Sequence, residues 1–182
     1  MTPGADHARP NPPMTDVATL LIGLVSISDR ASAGVYEDRG IPGLTDWFTA
    51  ALTTPWRMET RLIPDEQVLI ERTLIELVDS VRCQLVLTTG GTGPAARDVT
   101  PEATLAVIDR HVPGIPELMR LESLKITPRA ALSRATAGIR QATLIINLPG
   151  SVKGVRECLS AVRPILSHAV ETLKQSSLGC GE

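Results

Sequence analysis

Residues Leu85 to Thr104, LVLTTGGTGPAARDVTPEAT, pass within twenty positions from an apolar run through a glycine-rich turn and an isolated acidic residue to a helix start. Leu85, Val86 and Leu87 form the unbroken apolar run expected of a parallel strand buried on both faces. Thr88 to Gly93 then place hydroxyls and three glycines where that strand ends. Lacking Cβ atoms, such glycines let backbone N–H groups come close to an anion. Thr100 has the chemistry of an N-cap and Pro101 suits the first helical position, so the pattern predicts a helix N-terminus beside the turn. Its partial positive charge favours a bound anion. A tight strand-to-helix connection uses the same glycines, and the string has neither the Lys of a P-loop nor the spacing of a dinucleotide fingerprint. Arg97 and Asp98, a cation beside a carboxylate, are more than a turn requires.

Working outward, strands and helices alternate. ATLLIGLVSIS (18–28) reads as a strand, followed by the polar loop SDRASAGVYEDRG and a helix opened at Pro42 that carries Leu44, Trp47, Phe48 and Leu52. A second strand spans Met58 to Ile63, and after Pro64 and Asp65 a helix from Glu66 to Val81 shows apolar residues at helical spacing. The helix after Pro101 carries Ala103, Leu105, Ala106, Val107 and Ile108, and Pro113, Pro116 and Pro128 divide the next stretch into short helices. TLIINL (143–148) is a further strand, ending in Pro149, Gly150 and Ser151, and Val152 to Lys174 is a final amphipathic helix. The alternation predicts a three-layer α/β/α fold with a mostly parallel sheet, ligands sitting at the carboxyl ends of its strands. Residues 18–175 are expected to form one domain. Residues 1–17, with four prolines and little to bury, read as a disordered leader in which Met14 is an alternative start, and 176–182 as a short tail.

Bulk properties exclude several classes. At 182 residues the chain is long enough for one sizeable core. A net charge of −2 and 2% aromatic residues supply neither the basic footprint nor the stacking platforms of a nucleic-acid binder. No apolar run reaches membrane-spanning length and no export signal precedes the first strand, which makes the cytoplasm the expected compartment. Cys83, Cys158 and Cys180 form no C-x-x-C pair, and His7, His111 and His168 have no metal-ligand spacing, so the expectation is free thiols and ordinary histidines.

In a doubly wound sheet four strand ends share one crevice: Ser26 to Ser32, Pro64 to Glu66, Gly90 to Asp98, and Asn147 to Ser151. Ser28 and Asp29 offer a hydroxyl and a carboxylate there, and Thr89, Gly90, Gly91, Thr92 and Gly93 offer backbone donors. Asp65 and Asp98 follow strands directly. Asp65 has an alternative role as helix cap, and Asp98 as partner of Arg97 or Arg61. Beside a phosphate-binding turn, the pair is instead suited to hold Mg²⁺. No Ser-His-Asp or Cys-His arrangement is visible, which favours nucleotidyl over acyl transfer.

The strings IGLVSISDRASAGVYEDRGIP, ETRLIPDEQ, LVLTTGGTGPAARDVTPEAT, ESLKITPRAALSRATAGIR and LIINLPGS together resemble the molybdopterin adenylyltransferases of the MogA type, and the G domains of gephyrin and of the plant molybdenum-cofactor protein. The resemblance runs from Leu21 to Lys174. It implies adenylylation of molybdopterin by ATP with Mg²⁺: the pterin's terminal phosphate attacks the α-phosphate and pyrophosphate leaves. It also implies catalytic and metal-binding roles for Asp65 and Asp98, a pterin and nucleotide pocket lined by Ser133, Arg134, Asn147, Pro149 and Gly150, a homotrimer, and a downstream molybdate-inserting enzyme. The short tail SSLGCGE resembles the ending of the eukaryotic domains. The MoaB group shares TTGGTG and DVTP, so a non-catalytic molybdopterin carrier or scaffold of that type is the main rival, and a nucleotide-binding regulator the second. The SISDRAS and PDEQ context is closer to the catalytic type.

Overall fold

A computed structural model describes residues 19–178. The expected leader lies outside these residues. Six strands form one sheet: β1 (Leu20–Ile27), β2 (Trp56–Ile63), β3 (Leu85–Thr89), β4 (Arg110–His111), β5 (Ala137–Arg140) and β6 (Thr143–Leu148). Their order is β2-β1-β3-β6-β5-β4. The four strands β2, β1, β3 and β6 run parallel, while β5 and β4 complete the sheet antiparallel. Between the strands lie α1 (Asp29–Ser32), α2 (Gly40–Ala51), α3 (Gln67–Ile75), α4 (Thr100–Val107), α5 (Gly114–Leu124) and α6 (Val152–Leu178).

Side chains of the inner parallel strands β1, β3 and β6 alternate between two cores, which is why the sequence shows apolar runs there. Ile22, Leu24, Leu85, Leu87, Leu144 and Ile146 face α2, α5 and α6, whose Leu44, Phe48, Met119, Val155 and Leu159 bury against them. Val25, Ile27, Val86 and Ile145 face the opposite way, toward Ile70, Leu74 and Leu77 of the α3 segment and Ala103 of α4. The layers are therefore helix, sheet, helix, as the alternation predicts.

Several local expectations need correction. The loop after β1 contains the single turn α1, capped by Ser28 Oγ, which accepts from Ala31 N–H at 3.2 Å. The helix expected over 66–81 is α at first and then widens into a π turn at Glu76–Ser80, burying Leu77 and Val78. Pro113 and Pro116 do not break the chain into pieces: they fall at the N-cap and first turn of one continuous helix, α5, where a missing N–H removes no bond. Pro128 opens a 3₁₀ turn, Pro128–Leu132. Thr100 is not the N-cap of α4 but its first residue, and Val99 takes the cap position. The backbone of α6 continues to Leu178, into the expected tail. Among the described residues no helix is long and apolar enough to cross a membrane.

Topology decides where a ligand can sit. From β1 the chain passes to β2 on one side, and from β2 it returns to β3 on the other, so the connections diverge between β1 and β3. At such a switch point the loops leave a crevice beyond the carboxyl ends of the strands. The loops after β1, β2, β3 and β6 all emerge at that edge.

Candidate active site

The glycine turn after β3 is built by close approach. Gly90 has φ +102° and Gly91 φ +61°, both in the region that L side chains avoid. A Cβ on Gly90 would collide with the carbonyl of Ile27, and one on Gly91 with the Thr100 hydroxyl. That hydroxyl donates to Gly90 O at 3.0 Å, and Thr100 N–H donates to Gly91 O at 3.1 Å. Thr100 thus locks the first turn of α4 onto the glycine turn instead of capping its own helix. On the other flank Thr89 Oγ1 donates to Pro149 O at 2.8 Å, and a Cβ on Gly150 would stand 3.4 Å from Gly90 Cα. Ser151 Oγ accepts from Gly154 N–H at 3.1 Å and so caps α6. Two glycine turns, each leading into a helix, are pressed together.

A cavity of about 690 Å³ opens above them, walled by the glycine turn, α5, the 3₁₀ turn and the start of α6. Of the residues singled out from sequence, Gly91, Thr92, Gly93, Asp98, Ser133, Pro149 and Gly150 line it. Its cations, Arg120, Arg129 and Lys153, escaped the sequence reading, and Arg120 is tied to Ala135 O at 3.0 Å. Lys153 had a usable signal, because it follows the Gly-Ser turn at the start of a helix. Its side chain is 80% exposed.

Asp65 and Asp98 flank the glycine turn. Asp65 Oδ2 accepts from Asp29 N–H at 2.8 Å, and Asp65 N–H donates to Asp29 Oδ1 at 3.0 Å. Asp65 is not a helix cap: Glu66 holds that position in α3, with no side-chain bond. Its Oδ1 faces the glycine turn, 3.1 Å from where a Gly91 Cβ would lie. Asp98 Oδ2 accepts from Ala95 N–H at 2.9 Å and closes its own loop. Neither cation considered for Asp98 reaches it, since Arg97 goes to Asp29 and Arg61 to Glu76 and Glu59. Burial pushes the Asp65 carboxyl above its ordinary range, reinforced by the negative charges of Asp29 and Asp98 and opposed by the Asp29 N–H. The neighbouring Asp29 goes the other way, held low by the Arg97 guanidinium and the Asp65 N–H.

Three expected pocket residues have other work. Asn147 is fully buried, its Nδ2 donating to Thr88 Oγ1 at 3.1 Å and Thr104 Oγ1 at 2.8 Å, beneath the pocket and away from its wall. Arg134 donates to Gly93 O at 2.8 Å, to Asp98 O, and to Glu102 Oε1 at 2.5 Å, so it clamps the glycine loop from outside. Thr89 is buried under Pro149. Ser28 sits at the opposite end of the crevice, its Oγ hydrogen-bonded to Tyr36 OH at 2.8 Å.

No group of three or more metal-ligating side chains exists among the described residues. Asp65 and Asp98 each keep one carboxylate oxygen free of protein hydrogen bonds. Two hard oxygen donors next to a glycine turn fit Mg²⁺, which binds through one or two carboxylates with substrate phosphates and water completing its shell.

Residues 23–168 match the sequence family described as "Probable molybdopterin binding domain". The chain belongs to that family. It is 64% identical over 152 residues to the molybdopterin adenylyltransferase of Escherichia coli, covering 84% of this chain and 78% of that protein. To the molybdopterin adenylyltransferase of Helicobacter pylori it is 50% identical over 155 residues, covering 85% and 88%. Among solved structures it resembles MoaB, a molybdopterin biosynthesis enzyme of Thermus, with a TM-score of 0.80 and 43% identity over 86% of this chain and 98% of that one. The three-layer fold expected from the sequence is therefore that of the MogA and MoaB proteins.

Proposed function

We propose that this protein is a molybdopterin adenylyltransferase acting in molybdenum cofactor biosynthesis, with ATP and molybdopterin as substrates. The observation that carries the reading is the meeting of two helix-leading glycine turns, one cavity and two carboxylates at a single sheet edge. The high identity to enzymes of that name supports it.

The N–H groups of Gly91, Thr92 and Gly93 and of the start of α6 hold phosphates, and Arg129 and Lys153 add positive charge at the cavity wall. The pterin's phosphate attacks the α-phosphorus of ATP, the bond to the β-phosphate bridging oxygen breaks, and pyrophosphate leaves. The nucleophile is already anionic, so the site needs to position and neutralise rather than deprotonate. Mg²⁺, held by Asp65 and Asp98, supplies charge neutralisation when bound. The apolar part of the cavity, with Met119, Ile126 and Leu132, accommodates the ring system. On the family resemblance we also read the assembly as a homotrimer, the compartment as the cytoplasm, and the next partner as the enzyme that inserts molybdate.

Mixing purified protein with ATP, Mg²⁺ and molybdopterin should give adenylylated pterin and pyrophosphate in equal amounts. Tight pterin binding with no pyrophosphate would assign a carrier of the MoaB type, and ATP binding without pterin affinity a regulator. Asp98→Asn should lower turnover by roughly 100-fold or more while leaving the melting temperature unchanged. Full activity in that variant removes the carboxylate from the mechanism.

A further inference from the structure

The loops after β1, β2 and β3 are joined through one side chain. Asp29, the first residue of α1, accepts Asp65 N–H on Oδ1 at 3.0 Å, and Arg97 Nη2 lies 2.8 Å from each of its oxygens. Arg97 Nε adds a bond to Oδ2 at 3.1 Å. The Asp29 N–H returns to Asp65 Oδ2 at 2.8 Å. This last bond occupies one oxygen of Asp65 and leaves the other aimed at the glycine turn. The Arg97 contact ties the residue next to Asp98 back to the β1 loop.

These bonds are not needed to hold the sheet. β1 and β2 pair along eight residues from Leu20↔Trp56 to Ile27↔Ile63, and Ser28 N–H already donates to Ile63 O at 2.9 Å just beyond them. Nor is the ion pair a large source of stability, since Arg97 is 63% and Asp29 43% exposed and such pairs contribute little. The Asp29 carboxylate is also saturated with donors from its own chain, and it is a poor surface for an anionic substrate. What the arrangement does is fix the relative placement of two other carboxylates.

Resting on the assignment of Asp65 and Asp98 as the reactive acids, we propose that Asp29 is a positioning residue, a strut that through Arg97 and the Asp65 backbone sets how those two carboxylates face each other. It touches neither nucleotide nor pterin.

Four variants of the full chain test this: Asp29→Ala, Asp29→Asn, Arg97→Ala, and Asp29→Ala combined with Arg97→Ala. Three quantities are read for each: kcat and KM at saturating Mg²⁺, Mn²⁺ affinity by electron paramagnetic resonance with a non-hydrolysable ATP analogue present, and the melting temperature. For Asp29→Ala, kcat should fall roughly 10- to 100-fold with KM for both substrates within about twofold. Mn²⁺ affinity should weaken alongside it. Arg97→Ala should lose part of this, and the double variant should be no worse than Asp29→Ala, because both act through one bridge. Asp29→Asn, which keeps an oxygen for the Asp65 N–H, should recover part of the loss. A raised KM with kcat intact would make Asp29 a substrate contact. A lowered melting temperature with unchanged kcat and Mn²⁺ affinity would make it merely structural, and either result overturns the strut. If the unaltered protein forms no adenylylated pterin, it is the proposed function that fails, and the Mn²⁺ comparison still decides whether Asp29 orders the two acids.

Discussion

Replacing Asn147 with Ala separates a buried scaffold residue from a ligand contact. Asn147 lies at 0% exposure with Thr88 and Thr104, also at 0%, around it. Its two amide hydrogens go to Thr88 Oγ1 and Thr104 Oγ1, and its Oδ1 faces Thr136 N–H at the longer distance of 3.4 Å. Truncation removes two good hydrogen bonds, each with a net contribution of about 1 kcal/mol, and leaves polar partners without a mate in a dry interior. With the small void added, the loss comes to about 2–4 kcal/mol, a large share of a typical total of 5–15 kcal/mol. For a chain of this size that is a fall in melting temperature of about 5–15 °C. Urea unfolding followed by circular dichroism gives the free energy, and adenylylation per folded molecule, measured well below the transition, gives the activity. The expected result is lost stability with substrate KM values unchanged. Unaltered stability with KM raised tenfold would refute the burial argument and return Asn147 to the pocket wall.

Gly90→Ala should destabilise by about 2–4 kcal/mol in the same urea assay, because the new methyl group meets the Ile27 carbonyl at a φ of +102°; a loss below about 0.5 kcal/mol would contradict the turn geometry. Asp65→Asn should abolish product formation yet raise the melting temperature at neutral pH. The folded-state pKa of Asp65 lies above its ordinary 3.8, so its ionised form destabilises the fold as pH climbs through that interval, and the variant's advantage should vanish below the ordinary value. A lower melting temperature for Asp65→Asn at pH 7 would count against this. Burial pushes the Cys83 thiol up to about 11, so in a Cys180→Ser background it should resist iodoacetamide at pH 8 until the protein unfolds. Rapid alkylation of the native protein at Cys83 would show that the interior opens there.

The inner parallel strands β1, β3 and β6 were legible because they are buried on both faces and leave near-continuous apolar runs, while the edge strand β2 showed only its apolar end at Leu62 and Ile63. β4 and β5 were not: two exposed residues, Arg110 and His111, and the four of AGIR carry no alternation, and only the pairing of β5 with β6 and of β4 with β5 makes them strands. The meeting of the glycine turn with both aspartates at one sheet edge was legible because each follows a strand of a parallel sheet, whose carboxyl ends share an edge. The role of Asn147 was not, since a polar residue ending a strand reads the same whether it points to a ligand or into a threonine cluster. Asp29 was visible as a carboxylate, but its partners lie 36 and 68 positions away, beyond any local pattern. Thr100 misled because its hydroxyl is taken by the glycine turn, a tertiary contact, and Pro113 and Pro116 misled because a proline that opens a helix reads the same as one that ends it.

The lateral order of β2, β1, β3 and β6 also works as a ruler. Adjacent strands lie about 4.8 Å apart, so from the Asp65 loop to the Gly150 loop three intervals measure about 14 Å. Backbone pairing sets that distance, and no side-chain exchange in the loops alters it. Divergence among relatives can thus change what is gripped at each station while the overall span of the bound molecules stays constant, and a compound too short to bridge the outer stations engages only half of the machinery.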